Sequence, residues 1–133
     1  MDLFSEIKKL NFSSNKYIVV GGAAMAARNI KETCDIDIVV TPDLFEHCKQ
    51  EGWQEHLRPN GGPGLKKGMI EVYLDVNSGN FNPSFEELRN RAQIIDEIPF
   101  CSLEDVRRFK KEYNRDKDIK DINLIDNYLQ SHL

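Results

Sequence analysis

Residues 17–41 read YIVVGGAAMAARNIKETCDIDIVVT. An apolar run, Tyr17 to Val20, ends in the pair Gly21-Gly22; an alanine-rich segment of helical composition follows, and a second apolar run begins directly behind two aspartates set one residue apart. The pattern predicts a strand, a short helix and a second strand. Side chains alternate across a strand with a period of two, so Asp35 and Asp37 leave one face while Ile36 and Ile38 leave the other. Two carboxylates then share one small volume.

Like charges held together on one sheet face repel unless a cation or a shared proton relieves them. Magnesium, or manganese in its place, is one such cation, since it is commonly held by one or two carboxylates together with substrate phosphates. Two ions of this kind can clamp an in-line displacement at phosphorus. Gly21 and Gly22, at the point where strand turns into helix, let backbone approach a ligand closely and leave N–H groups to receive phosphate. Taken alone, an Asp-x-Asp pair is often only solvated, and a Gly-Gly pair often marks only a tight turn. The conjunction, with 12 residues between Gly22 and Asp35 and an apolar strand running on, points to a metal and nucleotide site.

This stretch resembles the signature of the nucleotidyltransferase superfamily of the DNA polymerase β type, in which Gly-Gly or Gly-Ser precedes an Asp-x-Asp strand at about this distance. Residues 31–40, KETCDIDIVV, are most similar to small bacterial abortive-infection, toxin-like members that read R-x-T-x-D-I-D there. Lys31 stands where they carry arginine, which keeps the charge without the bidentate fork.

With 133 residues, 40% of them apolar and 30% charged, the chain suits one globular domain spanning 1–133. The formal charge of -4 supplies no general basic field, so a polyanionic partner has to be met locally. Cys34, Cys48 and Cys101 are scattered and odd in number, which argues against a disulfide framework and for a reducing compartment. His47, His56 and His132 lack ligand spacing and read as surface or packing residues. No signal-peptide pattern and no long apolar run is present, so a cytoplasmic protein without membrane attachment is expected.

Along the chain, Met1 to Phe12 predicts an amphipathic helix capped by Asp2, and Leu44 to Glu51 a second helix stopped by Gly52. Trp53 to Leu57 predicts a strand with Trp53 as a core anchor. Arg58 to Gly68, RPNGGPGLKKG, reads as a loop: either a plain connection between antiparallel strands, or a flap whose Arg58, Lys66 and Lys67 meet triphosphate or an acceptor. Met69 to Val76 alternates, with Ile70, Val72, Leu74 and Val76 on one face and Glu71, Tyr73 and Asp75 on the other. Ser84 caps a helix from Phe85 to Arg91, and Ile94 to Pro99 is extended. Ser102 to Asp105 opens a helix reaching Tyr113, and Lys117 to Gln130 forms a last helix with Ile119, Ile122, Ile125 and Leu129 on its apolar face.

In the superfamily a third carboxylate comes from a later strand, as metal ligand or as the base toward the attacking hydroxyl; the resemblance assigns this to Asp75, with Glu71 as fallback. Lys110 and Arg115-Asp-Lys-Asp118 are similar to the lysine and R-x-K-D motifs of the abortive-infection enzymes. By that likeness Arg115 and Lys117 balance phosphate charge and Asp118 orients a base or an acceptor, although such a stretch also reads as a solvated helix start. The expected fold is α/β (α+β): a small mixed, twisted sheet with helices on one side, closed by two C-terminal helices. The expected activity is transfer of a nucleoside monophosphate from an NTP to an acceptor hydroxyl on tRNA, protein or a small molecule, with a possible antitoxin or other partner protein. A non-catalytic nucleotide-binding or regulatory module of the same fold and an antibiotic-modifying nucleotidyltransferase are the alternatives.

Overall fold

The two apolar runs beside the glycine pair become the central strands of a mixed sheet. The computed structural model describes residues 2–133. In chain order these form α1 (Leu3–Lys8), β1 (Tyr17–Val20), α2 (Gly21–Ala26), β2 (Ile36–Val40), α3 (Pro42–Gln50), β3 (Gln54–Leu57), β4 (Pro63–Lys67), β5 (Ile70–Tyr73), α4 (Phe85–Arg91), β6 (Gln93–Ile95), β7 (Ile98–Phe100), α5 (Leu103–Tyr113) and α6 (Asp116–Ser131). The strand order is β3-β4-β5-β2-β1-β7-β6, an open sheet with flanking helices and two helices at the C-terminus. The α+β class expected from the sequence is therefore the one observed.

β1 pairs antiparallel with β2, which sets Val20 opposite Asp37. β2 runs parallel to β5, with Asp37 beside Glu71. All four residues of β1 are buried, as are all those of β2 except the half-buried Asp37. Helices on one side alone do not account for this: alternate residues of the same strands are buried on both faces, so the sheet is covered on both faces at its centre. Among the described residues no helix is long and apolar enough to cross a membrane.

Capping follows the sequence closely. Asp2 accepts the Phe4 and Ser5 amides, Ser84 and Glu87 form a reciprocal capping box, and the Ser102 hydroxyl accepts the Asp105 amide. Each satisfies a donor that the first helical turn leaves without a partner. Trp53 is buried against Phe12, as expected of a core anchor.

Four readings need correction. The segment 58–68 is not all loop: Pro63–Lys67 is strand β4, seated between β3 and β5. Pro63 is tolerated there because it opens the strand. Residues 58–62 turn, closed by Arg58 N–H to the Gly62 carbonyl and Gly61 N–H to the Arg58 carbonyl, both 2.8 Å, and Gly68 begins the tight turn into β5.

Strand β5 stops at Tyr73 instead of running to Val76. The carbonyls that would extend its ladder are taken by side chains: Arg58 donates to those of Asp75 and Val76, and Asn60 and Tyr113 donate to that of Val76.

The extended Ile94 to Pro99 is a hairpin of β6 and β7, turned at Asp96 and Glu97 with φ of 50° and 69°. Both central residues lie in the left-handed region, where Asn-Gly is the usual signal.

Finally, α6 is rotated from the face its isoleucines suggest. Ile119 is 47% exposed, while Asp118, Asp121 and Ile125 are buried.

Candidate functional site

The alternation along β2 and its register with β5 bring acids to one face of the sheet. Asp37 leaves that face in the middle of the sheet, Asp35 lies just before the strand, and Glu71 is Asp37's neighbour on β5. All three line a cavity of about 570 Å³. Burial raises the Asp37 carboxyl to about 6, and the negative charges of Glu71 and then Asp35 push the same way, against weaker opposition from Arg58 and Lys66. The repulsion inferred from an Asp-x-Asp strand is thus present, with Glu71 contributing more than Asp35.

The glycine pair forms the neighbouring wall. Gly21 has φ +62°, and a Cβ there would lie 3.7 Å from Asp37 Oδ2. At Gly22 a Cβ would come within 3.2 Å of Thr33 Oγ1 and 3.6 Å of Lys31 Cε. The absent side chains keep open the space between the strand end and the acids.

The opposite wall is cationic. Lys31, from the loop before β2, meets Lys110 of α5 and the Arg115 and Lys117 region around the start of α6 in the same cavity. Asp121 ties Lys31 to Lys110: its carboxylate accepts Lys31 Nζ at 3.0 and 3.1 Å, and Lys110 Nζ lies 2.9 Å away. Burial opposes ionisation of Asp121, but hydrogen bonds from Lys110 and Lys31 outweigh it and hold the carboxyl below its ordinary range.

Asp118 lies behind this wall, fully buried, taking Arg115 Nε at 2.6 Å and Nη2 at 3.2 Å, with Lys110 at 3.8 Å. Burial works against its ionised form too, and Arg115 holds the carboxyl down. Asp118 therefore orients Arg115 and does not itself line the cavity.

Of the residues singled out in the sequence, Gly21, Gly22, Lys31, Asp35, Asp37, Lys110, Arg115 and Lys117 converge on this cavity. Asp75 does not. It lies beyond the end of β5 and lines a separate cavity with Leu74, Val76 and Phe109. Its assignment assumes that strand alternation continues to residue 76; the acid that lines the cavity with Asp35 and Asp37 is Glu71. Arg58 reaches the cavity rim over the Tyr73 ring, 3.7 Å from its centroid, so this part of the supposed flap is pinned in place.

Sequence reasoning missed Asp121 and His56. The spacing of Asp118, Asp121 and Ile125 on α6 is itself a helical stripe, but acids on an apolar stripe are ordinarily read as solvent-facing. His56 reads from the sequence as a packing or surface residue, yet its Nε2 lies 2.5 Å from Glu71 Oε2.

The donor set is one of oxygens. Among the described residues no three acids, histidines or cysteines form a ready-made metal cage. Asp37 with Glu71 or Asp35 suits a hard cation that completes its shell with substrate phosphate oxygens. No protein-family model, curated protein or solved structure matches this chain.

Proposed function

We propose that this chain is a nucleotidyltransferase, dependent on magnesium or manganese, that moves a nucleoside monophosphate from an NTP to an acceptor hydroxyl. The observation that carries the reading is a single cavity in which Asp35, Asp37 and Glu71 face Lys31, Lys110, Arg115 and Lys117. An acidic floor under a cationic wall fits a triphosphate whose charge is divided between side chains and a bound cation. The bound cation supplies charge neutralisation at the transferring phosphoryl group.

The chain's own residues do the positioning. Lys31, Lys110, Arg115 and Lys117 hold the β and γ phosphates, and the open backbone at Gly21 and Gly22 admits the α phosphate. The acceptor oxygen bonds to the α phosphorus as the bond to the β-phosphoryl oxygen breaks, and pyrophosphate leaves against the lysines. Glu71 takes the acceptor's hydroxyl proton. Such catalysis rests mainly on alignment and electrostatics.

Two experiments test this. Incubation with each labelled NTP, magnesium and cell extract should label one class of acceptor: RNA, protein or a small molecule. NTP with magnesium should also raise the Tm of the wild type, since a ligand bound only to the native state stabilises it, and the shift should vanish in Asp35→Ala/Asp37→Ala. A Tm shift without transfer to any acceptor would leave a nucleotide-binding module. A shift unchanged in the double variant would put the nucleotide elsewhere.

A further inference from the structure

Register places His56 of β3 opposite Gly64 of β4, and Gly64 opposite Tyr73 of β5. Glu71, two residues before Tyr73, leaves the same face of the sheet. Ordinarily a β4 side chain would stand between a β3 residue and a β5 residue. At Gly64 nothing does, and the imidazole and the carboxylate meet above the bare backbone.

The fit is tight. A Cβ at Gly64 would come within 2.7 Å of His56 Nε2, 2.9 Å of Glu71 Oε2 and 3.1 Å of Arg58 Cγ. A glycine inside a strand costs stability and often marks a place where something approaches closely; here that something is a pair of side chains. His56 Nε2 is buried against Glu71 Oε2 and has no hydrogen-bond partner. The contact is one of position, made by a ring held over a notch.

We infer that His56 is a positioning residue for Glu71: across the gap at Gly64 its imidazole confines one carboxylate oxygen and so directs the other toward the cavity shared with Asp37. The inference rests on the nucleotidyl-transfer reading for its consequence, but the contact itself can be tested without it. Partners that orient an acid or ligand from behind are worth about 10- to 100-fold in activity or metal affinity.

The test pairs kinetics with NMR. In the transfer assay His56→Ala should lower kcat about 10- to 100-fold with the KM for NTP little changed, because the triphosphate is held on the opposite wall. His56→Gln, which keeps a polar side chain of similar reach in the same place, should recover part of the loss, and Gly64→Ala should resemble His56→Ala. Should Gly64→Ala fail to fold, the two His56 variants decide, since His56 sits on an edge strand. Wild-type kcat in His56→Ala, or an equal loss in kcat and gain in KM, overturns the inference. If the wild type transfers nothing, the functional reading fails separately. The imidazole resonances of His56 then decide: a clear change on Glu71→Gln supports the contact, and unchanged resonances overturn it.

Discussion

Asp37→Asn removes a buried carboxyl whose ionised form the fold disfavours. The Asp37 carboxyl is displaced from the ordinary 3.8 to about 6, chiefly by burial and then by Glu71 and Asp35. At about 1.36 kcal/mol for each pH unit of displacement, this corresponds to roughly 3 kcal/mol held against the ionised native state. The native state binds this proton more tightly than the unfolded chain does. The stabilisation is therefore fully present below pH 3.8 and is lost as pH rises through about 6.

In the absence of divalent cations, Asp37→Asn should be more stable than the wild type at pH 7.5 by up to roughly 3 kcal/mol, or on the order of 10 °C in Tm. The gap should close toward pH 4. Urea melts of both proteins in chelator at pH 4, 5.5 and 7.5 measure it, read as midpoint shifts at constant slope. Equal stability at pH 7.5, or a gap independent of pH, would refute the claim that Asp37 is an acid held under strain. Site residues that cost stability in the resting fold are the ones that function accounts for.

The other predictions address the remaining parts of the site and fold. Glu71→Gln should lower nucleotide transfer by about 10²- to 10⁴-fold, the usual range for a positioned acid or base, whereas Asp75→Asn should stay within about twofold in the same assay. Asp121→Ala leaves Lys31 and Lys110 without their shared partner, and breaking such a buried pair should cost about 3 kcal/mol in a urea melt; an unaltered midpoint would show that the wall stands without it. Replacing Asp96-Glu97 by Asn-Gly relieves two left-handed residues in the β6–β7 turn and should raise stability by about 1 kcal/mol, less whatever the Lys8 to Asp96 ion pair contributes.

Much of the site was legible because local rules fix it. Period-two alternation sets Asp37 on the cavity face of β2, with Asp35 just before the strand lining the same cavity, and the caps at Asp2, Ser84 and Ser102 follow from residue type at a helix start. Three of the features that were not legible share one cause, a distant residue that overrides a local rule. Asp75 loses its strand because Arg58 and Tyr113 occupy the backbone acceptors beyond Tyr73. Asp118 and Asp121 turn inward because Lys31, Lys110 and Arg115 neutralise them, so α6 presents acids where its isoleucines suggested an apolar face. The Asp-Glu turn lacks the Asn-Gly signal, and it forms where Ile98 and Phe100 are drawn into the core.

By itself, the sequence determined that a glycine pair and an Asp-x-Asp stretch meet in an α+β fold, because both depend on spacings of a few residues. Which third acid joins them was decided only by the tertiary structure. Parallel pairing of β2 with β5 selects Glu71, and a glycine on the intervening strand brings His56 to it. Register between strands distant in sequence is a property of the whole sheet, settled by burial on both of its faces, and no local pattern encodes it.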